Sequence, residues 1–414
     1  MSRRRLRFVH SSDWHLECPL VGLTEVPDLL KPVFADAPYR AAERIVGTAL
    51  AEQADFMILS GDILDIELAG PHGVSFLLRQ FARLAERQIA VYWAGGRVDR
   101  PERWPAALNL PGNVYRFSSR RPEDFLFPSA DAPLARLTGL SRPRGGKLRA
   151  ADFWPDPDSL PTIVAAHGRI DRAALAGRNI NYWALGGKHR RTTLLDGPQP
   201  AHYPGTPQGR GPADLGAHGC TLVEIDEQGR VEMRNAASDV VRWCHRRATV
   251  HETTTGESLE QMLADQLREL RSTSPDLDLL VVWSVAGAGP VVSELRRGEL
   301  AETLLARLRR RFGHDRPVAW SAAIELEPEA AVPPAWSQQD SLLGDFLRAL
   351  PQFDGEGTND PADLSGPLEL LVGQTPRGQQ LDRLLRLSDP ANRRRMLQKA
   401  AALGASLLTS EDKP

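Results

Sequence analysis

The chain has 414 residues, 42% of them hydrophobic and 25% charged, which is the composition of an ordinary globular protein with two or three domains. A formal net charge of −2 does not by itself indicate a nucleic-acid partner. The sequence contains no run of about 18 apolar residues, so it predicts no membrane span. The basic N-terminal stretch lacks an apolar segment and a cleavage site, and the three cysteines (Cys18, Cys220, Cys244) are widely spaced. We therefore expect no signal peptide, no disulfide framework and a cytoplasmic location.

The first 200 residues alternate apolar strands with helical patterns. Strands are predicted at LRFVHSS (6–12), FMILSGD (56–62), IAVYWAGG (89–96), TIVAAHG (162–168) and NYWALGG (181–187), and helices at AAERIVGTALAEQ (41–53) and GVSFLLRQFARLAERQ (73–88). Because these strands are apolar throughout, both of their faces should be covered. The pattern predicts a layered α/β domain.

The pattern changes after residue 202. A strand pair joined by DEQGR within 219–236 predicts a hairpin. Helices at 253–274 and 298–313 and strands at 277–287 and 317–329 predict a second, smaller α/β unit. The Pro-rich stretch 327–341 predicts a linker, and the tail after it contains helical patterns at 341–350, 367–374 and 393–408.

Polar side chains follow four of the predicted strands where each strand ends. These residues are Asp13 and His15, Asp62, His167, and His189. Ligands of open α/β sheets collect at the carboxyl ends of the strands, so we expect these side chains to converge. A mixture of carboxylate and imidazole ligands suits Mn, Fe or Zn better than Mg or Ca.

Each of these residue types also has an ordinary structural explanation. A lone Asp after a strand usually caps a turn or a helix, which we expect of Asp65 and Asp99. A lone His is more often a core or surface residue than a ligand, which we expect of His10, His72, His202, His218 and His245. Agreement among four strand ends is what favours a metal site.

The segments HSSDWHL, LSGDILD, AAHG and NYWALGGKH, together with HYPGTPQGRGPADLGAHGCTLVEID, resemble the calcineurin-like metallophosphoesterases, and more closely their SbcD/YhaO-like DNA repair exonuclease subgroup. The resemblance covers residues 6–245 well. It implies an α/β, four-layer fold, a β-sandwich flanked by helices, followed here by a small α/β cap domain and a helical C-terminal tail. The expected domains are 1–247 (metallophosphoesterase), 248–332 (cap) and 333–414 (linker and helical region that could dock a partner).

The resemblance implies two metal sites. The first would use Asp13, His15, Asp62 and His189, and all four are present. The second would share Asp62 and add His167, which is present, the asparagine of a Gly-Asn-His-Asp loop and the first histidine of a Gly-His-x-His turn. Three positions depart from this pattern and make the second site degenerate: Arg97 replaces the asparagine, Val98 the histidine beside it, and Gly187 the histidine of the turn. One divalent ion is therefore expected rather than two, Mn first, with Fe or Zn as alternatives.

Two hypotheses about Arg97 remain open. A guanidinium repels a second divalent ion but binds phosphate through two parallel hydrogen bonds, so Arg97 and His167 could contact a phosphate with help from Lys188 and Arg190. Alternatively, Arg97 forms a structural salt bridge with Asp62 or Asp99, and the site is inactive.

The resemblance implies a metal-dependent phosphoesterase that hydrolyses phosphodiester bonds in DNA through a metal-bound hydroxide. The alternative is an impaired or inactive scaffold of the same fold that binds DNA or phosphate and a coiled-coil ATPase of the SbcC/YhaN type. A small-molecule phosphatase is a third class, which the added cap and tail disfavour. DNA, the ATPase and a second copy of the chain are the expected partners.

Overall fold

The computed structural model describes residues 5–23, 25–105, 108–128, 133–143, 145–157, 160–327, 334–349, 400–401 and 404. Its strands are β1 (Leu6–Ser11), β2 (Phe56–Leu59), β3 (Ala90–Trp93), β4 (Val114–Arg116), β5 (Glu123–Phe127), β6 (Ala135–Leu140), β7 (Thr162–His167), β8 (Tyr182–Gly186), β9 (Thr192–Leu195), β10 (Ala201–Tyr203), β11 (Gly219–Ile225), β12 (Val231–Ala237), β13 (Val241–Val250), β14 (Asp278–Gly287) and β15 (Ala319–Leu326). Its α-helices are α1 (Lys31–Ala51), α2 (Ile66–Ala85), α3 (Arg172–Leu175), α4 (Gly256–Thr273), α5 (Pro290–Arg297), α6 (Glu299–Phe312) and α7 (Leu342–Ala349).

Two six-stranded sheets form the first part of the chain. The first has the order β12-β11-β1-β2-β3-β4 and the second the order β5-β6-β7-β8-β10-β9. Strands β1, β2, β3 and β4 run parallel in the first sheet, as β6, β7, β8 and β10 do in the second. Strand β11 pairs antiparallel with β1 and β12, β5 with β6, and β9 with β10. Parallel neighbours bring their carboxyl ends to one edge of each sheet.

The two sheets pack face to face and helices cover the first sheet. Successive residues of β1 point to opposite faces. Phe8 lies in the core between the sheets, stacked on Phe56 of β2 with 4.8 Å between ring centroids. Its neighbour Val9 lies in the core under α1 and α2. On the outer face of the second sheet, Leu175 of α3 packs in a core with residues 148–153. The predicted β-sandwich flanked by helices is confirmed.

Two of the predicted helices begin earlier than expected. Helix α1 starts at Lys31 rather than at residue 41; Pro32 sits in its first turn, where no N–H is needed, and Pro38 is accommodated inside it. Helix α2 starts at Ile66, with Asp65 as the predicted cap accepting from the amides of Glu67 and Leu68. It is interrupted at Gly70, so the predicted start at residue 73 is that of its second segment.

A third sheet has the order β13-β14-β15 and includes both strands predicted for the smaller unit. The described residues divide into one compact unit within Met1–Arg246, Leu263–Trp283 and Leu304–Ala323, and a second unit within Arg247–Met262, Ser284–Thr303 and Ile324–Pro414. The boundaries expected at residues 247 and 332 stay predictions.

The tail is described only in part. Helix α7 matches the first of the three helical patterns. The pattern at 367–374 lies outside the described residues, as does the one at 393–408 apart from residues 400, 401 and 404, and the predicted linker is described only at residues 327 and 334–341. Among the helices that the structure describes, none is long and apolar enough to cross a membrane.

Hydrogen-bonded histidines join the two sheets in the middle of the sandwich. His10 of β1 is fully buried; its Nδ1 lies 2.8 Å from the Tyr182 hydroxyl and its Nε2 lies 3.0 Å from Ser60 Oγ. His202 of β10 lies 2.9 Å from the Thr221 hydroxyl of β11. Both are the satisfied core histidines that the sequence predicted. Burial keeps them neutral and lowers the pKa of each, that of His202 to about 3.

Replacing His202 by asparagine is expected to flatten the dependence of stability on pH. The unfolded chain takes up the proton near pH 6.5, whereas burial and the charge of Arg191 hold the folded pKa near 3. The stability due to neutral His202 is therefore present above pH 6.5 and falls by about 1.4 kcal/mol per pH unit below it. Denaturant unfolding between pH 7.5 and 4.5 measures the slope, which His202→Asn should reduce and the exposed control His251→Asn should not. An unchanged slope in His202→Asn would contradict this assignment.

Candidate metal centre

The predicted strand-end residues line one cavity of about 490 Å³. The loops after β1 and β2 supply three of them, and β7 and the loop after β8 supply the others. The lining residues are Asp13, His15, Asp62, Arg97, Arg142, Gly145, Gly146, His167, Gly168, Arg169, Gly187 and His189. The four strand ends therefore converge as predicted, and they belong to two different sheets.

The loops that carry the ligands have unusual backbone conformations. Asp13, His15 and Asp62 have φ values of 53°, 41° and 54°. Residues other than glycine rarely adopt this left-handed region, and such residues cluster at functional sites. The Asp13 amide donates to Gly61 O at 2.8 Å and the His15 amide to Asp62 O at 3.0 Å, so each loop fixes the other.

The ligand atoms of Asp13, His15 and His189 lie within 4.8 Å of one another. His15 Nε2 is also 3.7 Å from Asp62 Oδ2. Asp13 Oδ1 and His15 Nε2 are buried and have no hydrogen-bond partner among the described residues. Buried polar atoms without partners cost free energy, which a divalent cation between them would remove. The donor set thus fits the expected ion.

A second group of potential ligands consists of Asp13, Asp62 and His167, whose ligand atoms again lie within 4.8 Å of one another. His167 Nδ1 is 2.8 Å from Ser60 O, to which it donates. Its Nε2 is left to face Asp62 Oδ2 at 3.4 Å. The sequence assigned Asp62 and His167 to this half of the site, and the structure adds Asp13 within reach.

The position of Arg97 is set by its main chain. The amides of Arg97 and Val98 donate to Asp62 Oδ1 at 2.5 and 3.0 Å. The Arg97 side chain is exposed at the cavity and, within the described part of the chain, forms no salt bridge with Asp62 or Asp99. The salt-bridge hypothesis therefore has no support in this geometry.

The Asp99 carboxylate is buried and accepts hydrogen bonds from its own loop, from β3 and from the loop after β2. It accepts from the amides of Asp62, Ile63 and Gly96 and from Trp93 Nε1, at 2.6–3.1 Å. It caps two loops, as expected for an Asp in this position. Burial and the charge of Asp62 raise the pKa of Asp99.

Charge at the site favours an ionised Asp62. Burial raises the pKa of this carboxyl, but the neighbouring imidazoles of His167 and His15 and the amides of Val98 and Arg97 outweigh burial and bring the pKa below its ordinary value. Burial lowers the pKa of His189 despite the charge of Asp13. An anionic carboxylate beside a neutral imidazole is what a cation requires of its ligands.

Gly187 donates its amide to Asp13 Oδ2 at 3.0 Å. Its φ is +103°, and a Cβ at this position would lie 3.2 Å from His167 Nε2. A side chain here would therefore be strained and would press on the His167 ring. At this turn the main chain contributes a hydrogen bond to Asp13 where the family pattern has a histidine side chain.

A glycine-rich loop that the sequence reasoning missed forms the other wall of the cavity. Gly145 and Gly146 follow Arg142, and the loop is held against the end of β7 by the hydrogen bond from the Arg169 amide to Gly146 O at 3.1 Å. Arg142, Arg169 and Arg97 thus place three guanidinium groups on the lining of one cavity. The only signal in the sequence was the basic, glycine-containing stretch SRPRGGK at 141–147.

Two predicted substrate contacts lie elsewhere. Lys188 and Arg190 are not among the described residues that line the metal cavity. The Lys188 ammonium lies over the Tyr203 ring, 4.8 Å from its centre, and Arg190 lines a separate cavity of about 370 Å³.

Comparisons with known proteins give one family and several relatives. The family profile described as calcineurin-like phosphoesterase matches residues 6–199. The chain is 27% identical over 342 residues to the uncharacterized metallophosphoesterase YhaO of Bacillus subtilis, an alignment that covers 78% of this chain and 82% of that protein. It is 26% identical over 224 residues to the DNA double-strand break repair protein Mre11 of Aeropyrum pernix, covering 48% of this chain and 53% of that protein. A solved dimetal phosphatase from Danio rerio is 11% identical and covers 56% of this chain and 96% of its own, with a TM-score of 0.37.

A metal titration is expected to give one tightly bound Mn²⁺ per chain. Asp13→Asn should weaken binding by more than about 100-fold, because it removes the charge of a buried ligand. Calorimetry and elemental analysis give affinity and stoichiometry, and His72→Asn, an exposed histidine on α2, is the control. Two tight ions would contradict the one-ion prediction, and an unchanged affinity in Asp13→Asn would contradict the ligand assignment.

Proposed function

Because residues 6–199 form a calcineurin-like phosphoesterase domain, we propose that this protein is a metal-dependent phosphodiesterase that acts on DNA and uses one ion. The pair of buried, unpartnered atoms Asp13 Oδ1 and His15 Nε2 carries the proposal, since they face a cavity that also contains Asp62, His167 and His189. DNA is proposed as the substrate because one relative is named a DNA double-strand break repair protein.

Asp13, His15, Asp62 and His189 would hold the ion. When bound, such an ion polarises a phosphoryl oxygen and lowers the pKa of a coordinated water. Asp62 offers only Oδ2 to it, because Oδ1 accepts from two amides. His167 presents Nε2 to the cavity, since its Nδ1 donates to Ser60 O, and is placed to contact the phosphate.

The guanidinium groups would take the place of the second ion on the phosphate. Arg97, Arg142 and Arg169 line the cavity, and Arg binds phosphate oxygens through paired N–H groups. Their charge also repels a second divalent cation, and this repulsion is stronger in a cavity than in open water. We propose these three as the phosphate contacts, in place of the Lys188 and Arg190 expected from the sequence.

The alternative function is a scaffold that binds DNA without cutting it. Val98 occupies the position at which the family pattern has a histidine, and its side chain has no proton to give to a leaving group. In either case we propose Mn²⁺ as the ion, with Fe²⁺ or Zn²⁺ as alternatives for the same donors. A coiled-coil ATPase and a second copy of the chain are the proposed partners, and the cytoplasm is the proposed location.

Turnover of bis(p-nitrophenyl) phosphate with Mn²⁺ tests the enzyme. Asp62→Asn is expected to lower kcat/KM by at least about 100-fold, since it removes the charge of a carboxylate that faces both His15 and His167. Arg97→Ala should act mainly by raising KM, and Arg87→Ala, an exposed arginine after α2, should change neither constant. Equal turnover in wild type and Asp62→Asn would contradict the site, and metal binding without any turnover would favour the scaffold.

Binding of a DNA duplex is expected to weaken steeply with salt. Each phosphate contact contributes about 0.9 to the slope of log K against log salt concentration. The double variant Arg97→Ala/Arg169→Ala should therefore reduce the slope by up to about 2, and Arg87→Ala should leave it unchanged. Fluorescence anisotropy at several salt concentrations measures the slope. A slope that the double variant does not alter would place the DNA elsewhere.

A further inference from the structure

The carboxylate of Glu17 is buried two residues after the candidate ligand His15. Only 2% of its side chain is exposed, compared with 6% of that of His15. Glu17 lies outside the described residues that line the metal cavity.

Both oxygens of Glu17 are in use. Oε1 lies 3.2 Å from His15 Nδ1 and 3.5 Å from Cys18 Sγ, and Oε2 accepts from the Asp65 amide at 3.0 Å. Glu17 is therefore a carboxylate that accepts at both oxygens.

These contacts decide which nitrogen of His15 carries the hydrogen. A carboxylate can only accept, so Nδ1 must be the protonated nitrogen. In the neutral ring Nε2 is then free of hydrogen, and this is the atom that is buried without a partner among the described residues, 3.7 Å from Asp62 Oδ2. The ring is oriented for binding a cation before the cation arrives.

We propose that Glu17 is a positioning residue for the metal site: it fixes the tautomer and the ring orientation of His15 and ties the loop after β1 to the start of α2. The inference rests on the proposed function only in that His15 is taken to be a ligand. The Asp65 contact matters because Asp65 is the N-cap of α2 and follows Asp62 by three residues. One carboxylate thus holds both ligand loops in register.

Glu17→Gln is a sharp test because the Asp65 amide can only donate. The glutamine carbonyl must turn toward that amide, so its NH₂ group faces His15 Nδ1. His15 then accepts at Nδ1 and carries its hydrogen on Nε2, where a cation should bind. The variant keeps the size of the side chain and reverses the tautomer.

The experiment compares Glu17→Gln with Glu224→Gln in the full chain. Glu224 is the matched control, because its carboxylate is 16% exposed and pairs with Arg7 away from the site. Mn²⁺ affinity is measured by calorimetry, the tautomer of His15 by ¹⁵N NMR without metal, and folding by melting temperature without metal. The His15 signals are identified by their loss in His15→Asn.

We expect Glu17→Gln to bind Mn²⁺ about 10- to 100-fold more weakly, to carry the His15 hydrogen on Nε2, and to melt like Glu224→Gln. Wild-type affinity in Glu17→Gln would overturn the proposal. A wild-type chain that binds two ions, one of which Glu17→Gln loses, would also overturn it. Glu17 would then itself be a ligand, in a group with His15 and Cys18, whose ligand atoms lie within 4.8 Å of its own.

Two further outcomes separate this proposal from the function above. If Glu17→Gln does not fold, the wild-type tautomer decides: hydrogen on Nδ1 supports the proposal and hydrogen on Nε2 overturns it. If the wild-type chain binds no ion while His15 still carries its hydrogen on Nδ1, the proposed function fails, and the orientation of His15 by Glu17 stands.

Discussion

The buried carboxylate of Asp62 is the group on which the rest of the site depends. A buried anion is costly unless it is paired and hydrogen-bonded, and here the partners come from three segments: the loop after β1, the loop after β3, and β7. The amides of Arg97 and Val98 donate to Asp62 Oδ1, and His15 and His167 face Asp62 Oδ2. The Asp62 amide donates to the carboxylate of Asp99. A single charge at the edge of two sheets therefore fixes where the loops after β1, β2 and β3 and the end of β7 lie.

Main-chain contacts orient two of the candidate ligands, Asp13 and Asp62. Arg97 and Val98 hold Asp62 through their amides, and Gly187 holds Asp13 in the same way. An amide hydrogen bond does not depend on which side chain the residue carries. The orientation of Asp13 and Asp62 is therefore independent of the side chains at these three positions.

The polar residues inside the sandwich belong to the same arrangement. Ser60 accepts from His167 Nδ1 through its carbonyl, and its hydroxyl lies 3.0 Å from His10 Nε2 and donates to Ala184 O. A core histidine is thus two hydrogen bonds from a residue that lines the cavity. The packing of the two sheets and the direction of His167 are set by one continuous set of contacts.

The residue pattern was enough to predict the layered α/β domain, its apolar strands and the candidate metal ligands at their ends, because strand burial and residue type are local properties of the sequence. It could not show that Arg142 and two glycines complete the cavity, that Lys188 lies on Tyr203, or that Glu17 contacts His15, since these contacts join distant parts of the chain. Helix starts at Lys31 and Ile66 were also missed, since prolines within helical segments read as breaks. The physical reason is separation along the chain: which loops meet at a sheet edge depends on the packing of distant strands, and no local pattern encodes it.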